Sequence, residues 1–344
     1  MNGHLGLVLN ESSASNLSRC FHDDNWFKYR AYTFTYVLLF PVAFITNLCA
    51  VTVFTLQRKQ RTAPSSVVMM NLAVSDLCFS LTLPLRLVYY FRQGIWDYPD
   101  WLCRLCVYGF YLNLYTSILF LTLLSVLRWL AVAQPLRHHT LATPTRILLV
   151  CLGIWVFVGG ASSFFLAQGV VHRGGVPRCF EPQKPSTWYL VLVLNYVALL
   201  FGFLVPFSVI VCSYGFIVRR LTSRPASFSE RLKPHPPAPR RGSGGGGGEC
   251  GRRRSLSLVS AVIVTFLLCF LPYHAARSLH LHAVCGGWGC RAVVTLQRLV
   301  VVTLCLAASN SVINPLLYYY CTQSFRDQLS RAGSRISARS RSLH

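Results

Sequence analysis

Ala31–Leu56 reads AYTFTYVLLFPVAFITNLCAVTVFTL, and no charged residue falls between Ala31 and Gln57. A helix needs about 20 predominantly apolar residues to cross the hydrocarbon core of a bilayer. This stretch meets that length, and six more like it follow: Ser66–Phe91, Cys103–Val132, Ile147–Val171, Tyr189–Val218, Leu256–His282 and Ala292–Cys321. The strands of a membrane β-barrel are about ten residues long with apolar and polar residues alternating, a pattern absent here. The sequence therefore specifies an all-α membrane protein, a seven-transmembrane helix bundle.

Composition agrees. Of the 344 residues, 53% are hydrophobic and only 12% charged, about half the charged fraction of a soluble domain. Such hydrophobicity excludes disorder throughout. The uncharged runs are too many to bury in one soluble core, which argues against an ordinary soluble enzyme. The net charge of +23 does not indicate nucleic acid, because the Lys and Arg lie between apolar runs rather than in one patch. They are instead topological signals. With the N-terminus outside, 21 of the 33 basic residues fall on the inner side, so the N-terminus is expected extracellular and the C-terminus cytosolic. No cleavable signal peptide is visible, and the first helix is expected to act as a signal anchor. Asn10 and Asn16 stand in glycosylation sequons on the outer side.

The expected domains are residues 1–30 as an extracellular N-terminus, 31–321 as the seven-span domain and 322–344 as a cytoplasmic tail. Within the second, 219–254 forms a flexible third inner loop, because Pro225–Gly251 is rich in Pro, Gly and Arg. The 14 cysteines are scattered, many inside apolar runs (Cys49, Cys78, Cys151, Cys212, Cys269, Cys305), where they act as small hydrophobes. No zinc-finger spacing occurs, and His280 and His282, two residues apart, are not a helical ligand pair.

Polar groups inside a span are costly and mark function by default. Asp76 lies mid-helix in Asn71-Leu72-Ala73-Val74-Ser75-Asp76. With Asn47, Ser117, Asn310 and Asn314 it forms either a site for a small hydrated cation such as sodium or a structural network around a protonated carboxyl. Pro84, Pro206, Pro272 and Pro315 each remove a backbone bond, giving kinks on which helix halves pivot. Arg128, at the cytosolic end of the third helix, either snorkels to the interface or meets Tyr214 and Tyr318 in another conformation.

These elements occur in a fixed order. They are Thr46-Asn47, Leu72-Ala73-Val74-Ser75-Asp76, Cys103, Arg128, Trp155, Pro206 with Tyr214, Cys269-Phe270-Leu271-Pro272, Asn314-Pro315-Leu316-Leu317-Tyr318 and Ser324-Phe325-Arg326. From about Tyr32 to Leu329 the chain resembles the rhodopsin-like (class A) G-protein-coupled receptors. The chain departs from that pattern at Leu127 and Trp129, which stand where the family has an acid and a tyrosine. It also departs at Phe270 for the usual tryptophan and at Thr46 for glycine. Further stretches are similar to the cysteinyl leukotriene receptors, more to type 1. These are Leu83–Tyr90 with Gly94-Ile95-Trp96, Tyr111–Tyr115, Arg178–Pro182, Leu271–His274 with Arg277, and Thr303–Asn310. The third inner loop departs from that family's short one.

The resemblance implies a plasma-membrane receptor that passes an anionic lipid signal to a heterotrimeric G protein, mostly of the Gq class, with calcium release. It implies disulfides Cys103–Cys179 and Cys20–Cys290, with Cys285 a rival in the second. A connector of Pro206, Ile118 and Phe266 would link the pocket to a coupling switch of Arg128, Tyr214 and Tyr318. A short amphipathic eighth helix would follow the bundle, and a sodium ion at Asp76 would favour the resting form. Tail serines (Ser324, Ser330, Ser334, Ser337, Ser340, Ser342) would serve receptor kinases and arrestin, and the basic tail would lie on anionic membrane lipids.

The residues agree with an acidic lipid. Arg86 and Arg277 sit inside helices near the outer mouth, with Lys28 and Arg298 at the rim. Tyr32, Tyr36, Tyr89, Tyr90, Tyr111, Tyr115 and Tyr273, with His274, supply hydroxyls and apolar faces. A cysteinyl leukotriene carries carboxylates, a hydroxyl, a thioether and a polyene chain; Arg binds carboxylate bidentately and aromatic walls suit the chain. The same arginines alternatively pair with outer-loop acids or headgroups, and the tyrosines with an aromatic belt. Other classes remain as rivals: a nucleotide receptor of the purinergic type, a receptor for another anionic lipid or carboxylate, and, more distantly, a transporter. No Ser-His-Asp, HExxH or GxSxG arrangement supports an enzyme, and no cofactor beyond the sodium ion is expected.

Overall fold

The computed structural model describes residues 25–56, 63–167, 169–180, 185–222 and 247–321. Asn10, Asn16, Cys20, the eighth helix and the tail serines lie outside them. Seven helices are long and apolar enough to cross a membrane: Asn25–Leu56, Pro64–Phe91, Asp100–Ala133, Pro144–Ala167, Trp188–Arg220, Leu256–Cys285 and Cys290–Tyr319. We call them spans one to seven. Their outward faces carry exposed Phe34, Val156 and Phe201, apolar side chains that lipid solvates without penalty. Span three lies at the centre, packed against spans two, four, five and six, while span seven closes the bundle against spans one, two and six.

The termini follow local rules. Pro64, Pro135 and Pro144 each stand at the first helical turn, where a missing N–H costs nothing. Thr143 caps span four by accepting from Arg146 N–H. A seven-residue helix, Pro135–Leu141, links spans three and four. One expectation is corrected. Span four does not run to Val171: its α-helix ends at Ser162, a 3-10 turn carries on to Ala167, and Val171 belongs to a strand. Within the expected inner loop 219–254, helix extends to Thr222 on one side and starts at Gly247 on the other, and residues 223–246 lie outside the described ones.

Proline distorts spans five and six in the same way. Just before Pro206, Val205 N–H reaches back to Leu200 O, and just before Pro272, Leu271 N–H reaches Phe266 O. Each is a π-turn, an extra residue absorbed where proline has broken the ladder. In span seven the break falls at Ser309, ahead of Pro315. Pro315 has no N–H to offer Ser311 O. Asn47 of span one fills that vacancy, its Nδ2 donating to Ser311 O at 2.8 Å and to Ala43 O at 2.9 Å.

Between spans four and five, β1 (Val171–Arg173) and β2 (Val176–Arg178) form an antiparallel hairpin. Its turn residues Gly174 and Gly175 have φ of 58° and 80°, the positive values that a two-residue hairpin turn needs. The hairpin is fastened to span three by the Cys103–Cys179 disulfide, with Cα atoms 5.9 Å apart. Asp100 adds a second tie, accepting from Val170 N–H and from Arg104 Nε, both at 2.6 Å. Arg104 also donates to Leu166 O.

A side chain at Gly169 would overlap Asp100 Oδ1 and crowd Arg104 Nη2 at 2.6 Å, displacing the carboxylate from Val170. At Gly160 nothing lies within 4 Å. We therefore expect Gly169→Leu to lower the Tm of the detergent-solubilised protein by an amount equivalent to about 1 kcal/mol. Gly160→Ala should leave Tm unchanged or raise it. Thermal-shift measurement on both variants checks the contrast.

Candidate functional site

At the hairpin end, Arg86 of span two is only 4% exposed. Its Nη2 donates to Cys106 O of span three at 2.5 Å, and its Nε has no hydrogen-bond partner. No carboxylate pairs with it among the described residues. Two rings hold it instead: its Cζ lies 5.2 Å from the Phe110 centroid and 4.5 Å from that of Phe180. Cation–π contacts of this kind compensate part of the lost hydration.

Phe180 is held in place by its surroundings. Its φ of +65° is a left-handed conformation that bulky residues rarely adopt. The neighbouring Cys179 is fixed by its disulfide and by Tyr89, whose hydroxyl donates to Cys179 O at 2.7 Å. Phe180 then meets Tyr89, Tyr90 and Trp96. Tyr32 stacks on Tyr36 and packs against Tyr90, with centroids 5.6 and 4.6 Å apart. The tyrosines of spans one and two thus form one aromatic wall beside Arg86. Tyr36 Oη and Arg86 Nε are both buried with no other hydrogen-bond partner, and the two side chains lie within reach of each other.

Across the bundle, Arg277 of span six makes no hydrogen bond or ion pair among the described residues, and it lies within electrostatic range of Tyr32, Tyr115 and Tyr273. Tyr111 stacks on Phe165 at 3.7 Å. Tyr115 lies against the π-turn of span five, where a Cβ at Gly202 would sit 2.7 Å from its ring; only glycine permits that approach. Lys28 and Arg298 take rim positions, Lys28 over the Tyr29 ring and Arg298 over Phe27. Tyr89 donates its hydroxyl to Cys179 O while its ring stands against Tyr90 in the same wall.

Below this layer, His274 stacks on Phe203 with centroids 4.7 Å apart, and Phe203 and Phe207 stack on Phe266 at 6.3 and 6.2 Å. Phe266 in turn meets Phe270 at 5.1 Å. Ile118 and Pro206 are buried beside them. Aromatic contact is therefore continuous from Tyr115 to the π-turns of spans five and six.

In mid-bundle, Asp76 accepts from Asn314 Nδ2 at 2.8 Å and from Asn113 Nδ2 at 2.9 Å. Asn113 also donates to Ser75 Oγ, which bonds Thr116 Oγ1 at 2.7 Å. Asn113 was not among the sequence candidates; its place four residues before Ser117, on the same face of span three, is the signal that points to it. Asn310 joins only through a 3.5 Å contact with Asn314. Asn47 uses its amide nitrogen to repair the Pro315 break, which leaves its Oδ1 for this network. Ser117 Oγ lies within reach of the Asp76 carboxyl, and Asn47 Oδ1 and Asn314 Oδ1 are buried without hydrogen-bond partners. An all-oxygen set of this kind, with one carboxylate, fits a hard cation. No cluster of three His, Cys, Asp or Glu suited to a transition metal occurs among the described residues.

At the opposite end, Arg128 is half-buried and its neighbour is Leu127, buried and uncharged. His138 on the linking helix is held below the usual histidine range, first by burial and then by the positive charges of Arg128 and His139. Trp129 packs on Phe216 of span five at 6.3 Å. Tyr318 sets its ring against Phe54 of span one, and Tyr214 is half-buried. In span two, Asn71 Oδ1 accepts from Trp155 Nε1 of span four at 3.0 Å. Cys290 is disulfide-bonded while Cys285 is a free thiol, so the two are not joined to each other; Cys20 lies outside the described residues.

Residues 46–318 match the model of the 7 transmembrane receptor (rhodopsin family). The chain belongs to the rhodopsin family of seven-transmembrane receptors. It is 37% identical over 307 residues to cysteinyl leukotriene receptor 1 of Homo sapiens, covering 88% of this chain and 85% of that receptor. It is 35% identical to cysteinyl leukotriene receptor 2 of Mus musculus, covering 90% and 93%. It is also 32% identical to lysophosphatidic acid receptor 6 of Gallus gallus, covering 89% and 94%. The protein is accordingly a seven-span membrane receptor and not an enzyme.

Removing one amide from Asp76 leaves a buried carboxyl short of a donor. Asn113→Ala should destabilise the receptor by about 1–3 kcal/mol, read as a fall in Tm. Asn195→Ala, which removes an inter-span bond to Ser278 Oγ from a half-buried position, should cost less.

Proposed function

We propose that the protein is a plasma-membrane receptor for cysteinyl leukotrienes, with its N-terminus outside the cell, signalling through a heterotrimeric G protein of the Gq class with calcium release. The observation that carries this reading is Arg86, a buried cation with no carboxylate partner among the described residues, walled by Phe110, Phe180 and tyrosines. A lipid carboxylate supplies the missing anion by charge-assisted hydrogen bonds, and the aromatic wall takes its hydrocarbon chain. Arg277 offers a second cation from the facing span. The names of the type 1 and type 2 relatives support the same ligand class.

The proposed mechanism is a shift between two arrangements. A ligand bridging Arg86 on span two and Arg277 on span six binds one arrangement more tightly, and that difference is the only source of the shift. The stack from Tyr115 through His274, Phe203 and Phe266 carries the change to the π-turns, where spans five and six pivot. The inner end of span six then swings, and Arg128, Tyr214 and Tyr318 face a cleft that accepts a G-protein helix. With no acid beside Arg128, the resting state relies on apolar contacts such as Trp129 on Phe216. A sodium ion held by Asp76 and the unpaired oxygens around it would add charge balance to the resting form. Receptor kinases and arrestin at the tail serines, and anionic membrane lipids along the basic tail, complete the expected partners.

A second reading is favoured by the lysophosphatidic acid receptor 6 relative: the same cations would take a phosphate-bearing lipid. Calcium mobilisation in transfected cells against leukotrienes C4, D4 and E4, lysophosphatidic acid and uridine nucleotides separates the readings. Leukotrienes should act, and Arg86→Ala and Arg277→Ala should each raise the effective concentration about 10- to 100-fold. Silence to all three leukotrienes from a surface-expressed receptor would contradict the ligand assignment, and a response to lysophosphatidic acid or nucleotides would replace it.

A further inference from the structure

His274 is 2% exposed, and its two ring nitrogens have different surroundings. Nδ1 lies 2.9 Å from Phe270 O one turn back. A carbonyl oxygen only accepts, so Nδ1 carries the proton and donates. The lone pair of the neutral ring is then on Nε2, which is buried without a hydrogen-bond partner. The ring is not free to turn and find one: it stacks on Phe203 with an interplanar angle of 21°, and the rings of Tyr273 and Tyr115 stand edge-on to it at 5.3 and 6.1 Å. Tyr36 and Arg86 face each other with Oη and Nε otherwise unpartnered, and on span seven Gln297 Oε1 is also buried without a hydrogen-bond partner. The guanidinium nitrogen only donates, whereas His274 Nε2 only accepts. The unsatisfied groups therefore describe a ligand with two poles: an anion for Arg86, and a hydrogen-bond donor for His274.

We propose that His274 Nε2 accepts a hydrogen bond from a hydroxyl of the bound anionic lipid and is the residue by which the receptor selects hydroxylated lipids over their deoxy counterparts. This rests on the anionic-lipid reading and deepens it. A buried group left unpaired discriminates strongly against a ligand lacking its partner, because the deoxy ligand leaves the acceptor both dehydrated and unbonded. The π-turn adds a consequence. Phe270 O, to which Nδ1 donates, is the last residue of that turn, so a hydroxyl held at Nε2 bears on the segment where span six pivots.

The test is competition against tritiated leukotriene D4 on membranes, using leukotriene D4 and an analogue lacking only its hydroxyl. The wild-type receptor should prefer the hydroxylated ligand about tenfold. In His274→Phe, which keeps the stack on Phe203 but has no acceptor, the ratio should fall to about one, and likewise in His274→Leu. Arg86→Ala should weaken both ligands and leave the ratio standing. A ratio that persists in either His274 variant, or is absent from the wild type, overturns the proposal while leaving the leukotriene reading intact. Failure of the wild type to bind either ligand overturns the leukotriene reading itself, and the proposal with it.

Discussion

A guanidinium withdrawn from water needs either an anion or a large loss of free energy. Arg86 has no such anion among the described residues, and the hairpin end of the bundle is organised around that fact. Cys106 O takes one hydrogen bond, Phe110 and Phe180 cover the flat faces, and the disulfide with the Asp100 and Arg104 ties keeps Phe180 in its left-handed conformation above the charge. None of these contacts neutralises the cation. The site is stable enough to persist and electrostatically incomplete, which is the condition for binding an anion tightly.

The remainder of the bundle shows the same economy of repair. Three of the prolines inside helices are answered locally or from a neighbour: by π-turns ahead of Pro206 and Pro272, and by Asn47 of span one at the carbonyl freed by Pro315. Asp76 ties spans two, three and seven through amides from Asn113 and Asn314.

Much of this was legible in the residues. Seven predominantly apolar runs specify seven helices, since helices satisfy their own backbone in lipid, and Asp76, Arg86 and Arg277 stand out because charge within a span is rare. Helix ends were less legible where apolar character continued past the helix: Val171 looks like membrane helix but pairs across a Gly174-Gly175 turn. The first helix begins at Asn25 rather than Ala31, because Lys28 and Arg30 are shielded by the rings of Tyr29 and Trp26. Residues whose role comes from a partner far along the chain were not legible. Asn113 is an ordinary polar residue until Asp76 is placed beside it, and Phe180 gains its function only from the disulfide that sets it over Arg86. Tyr89 likewise acquires a second partner, Cys179 O, only once the hairpin is in place.

The central claim is that Arg86 is kept for the ligand rather than for the fold. Thermal unfolding of the solubilised Arg86→Met receptor, with and without leukotriene D4, tests it most directly. Methionine fills similar volume without charge, so the ligand-free Tm should stay level or rise, and the stabilisation by leukotriene should vanish. A ligand-free Tm well below wild type, with the leukotriene-induced rise intact, would show that the arginine serves the structure and that the anion binds elsewhere.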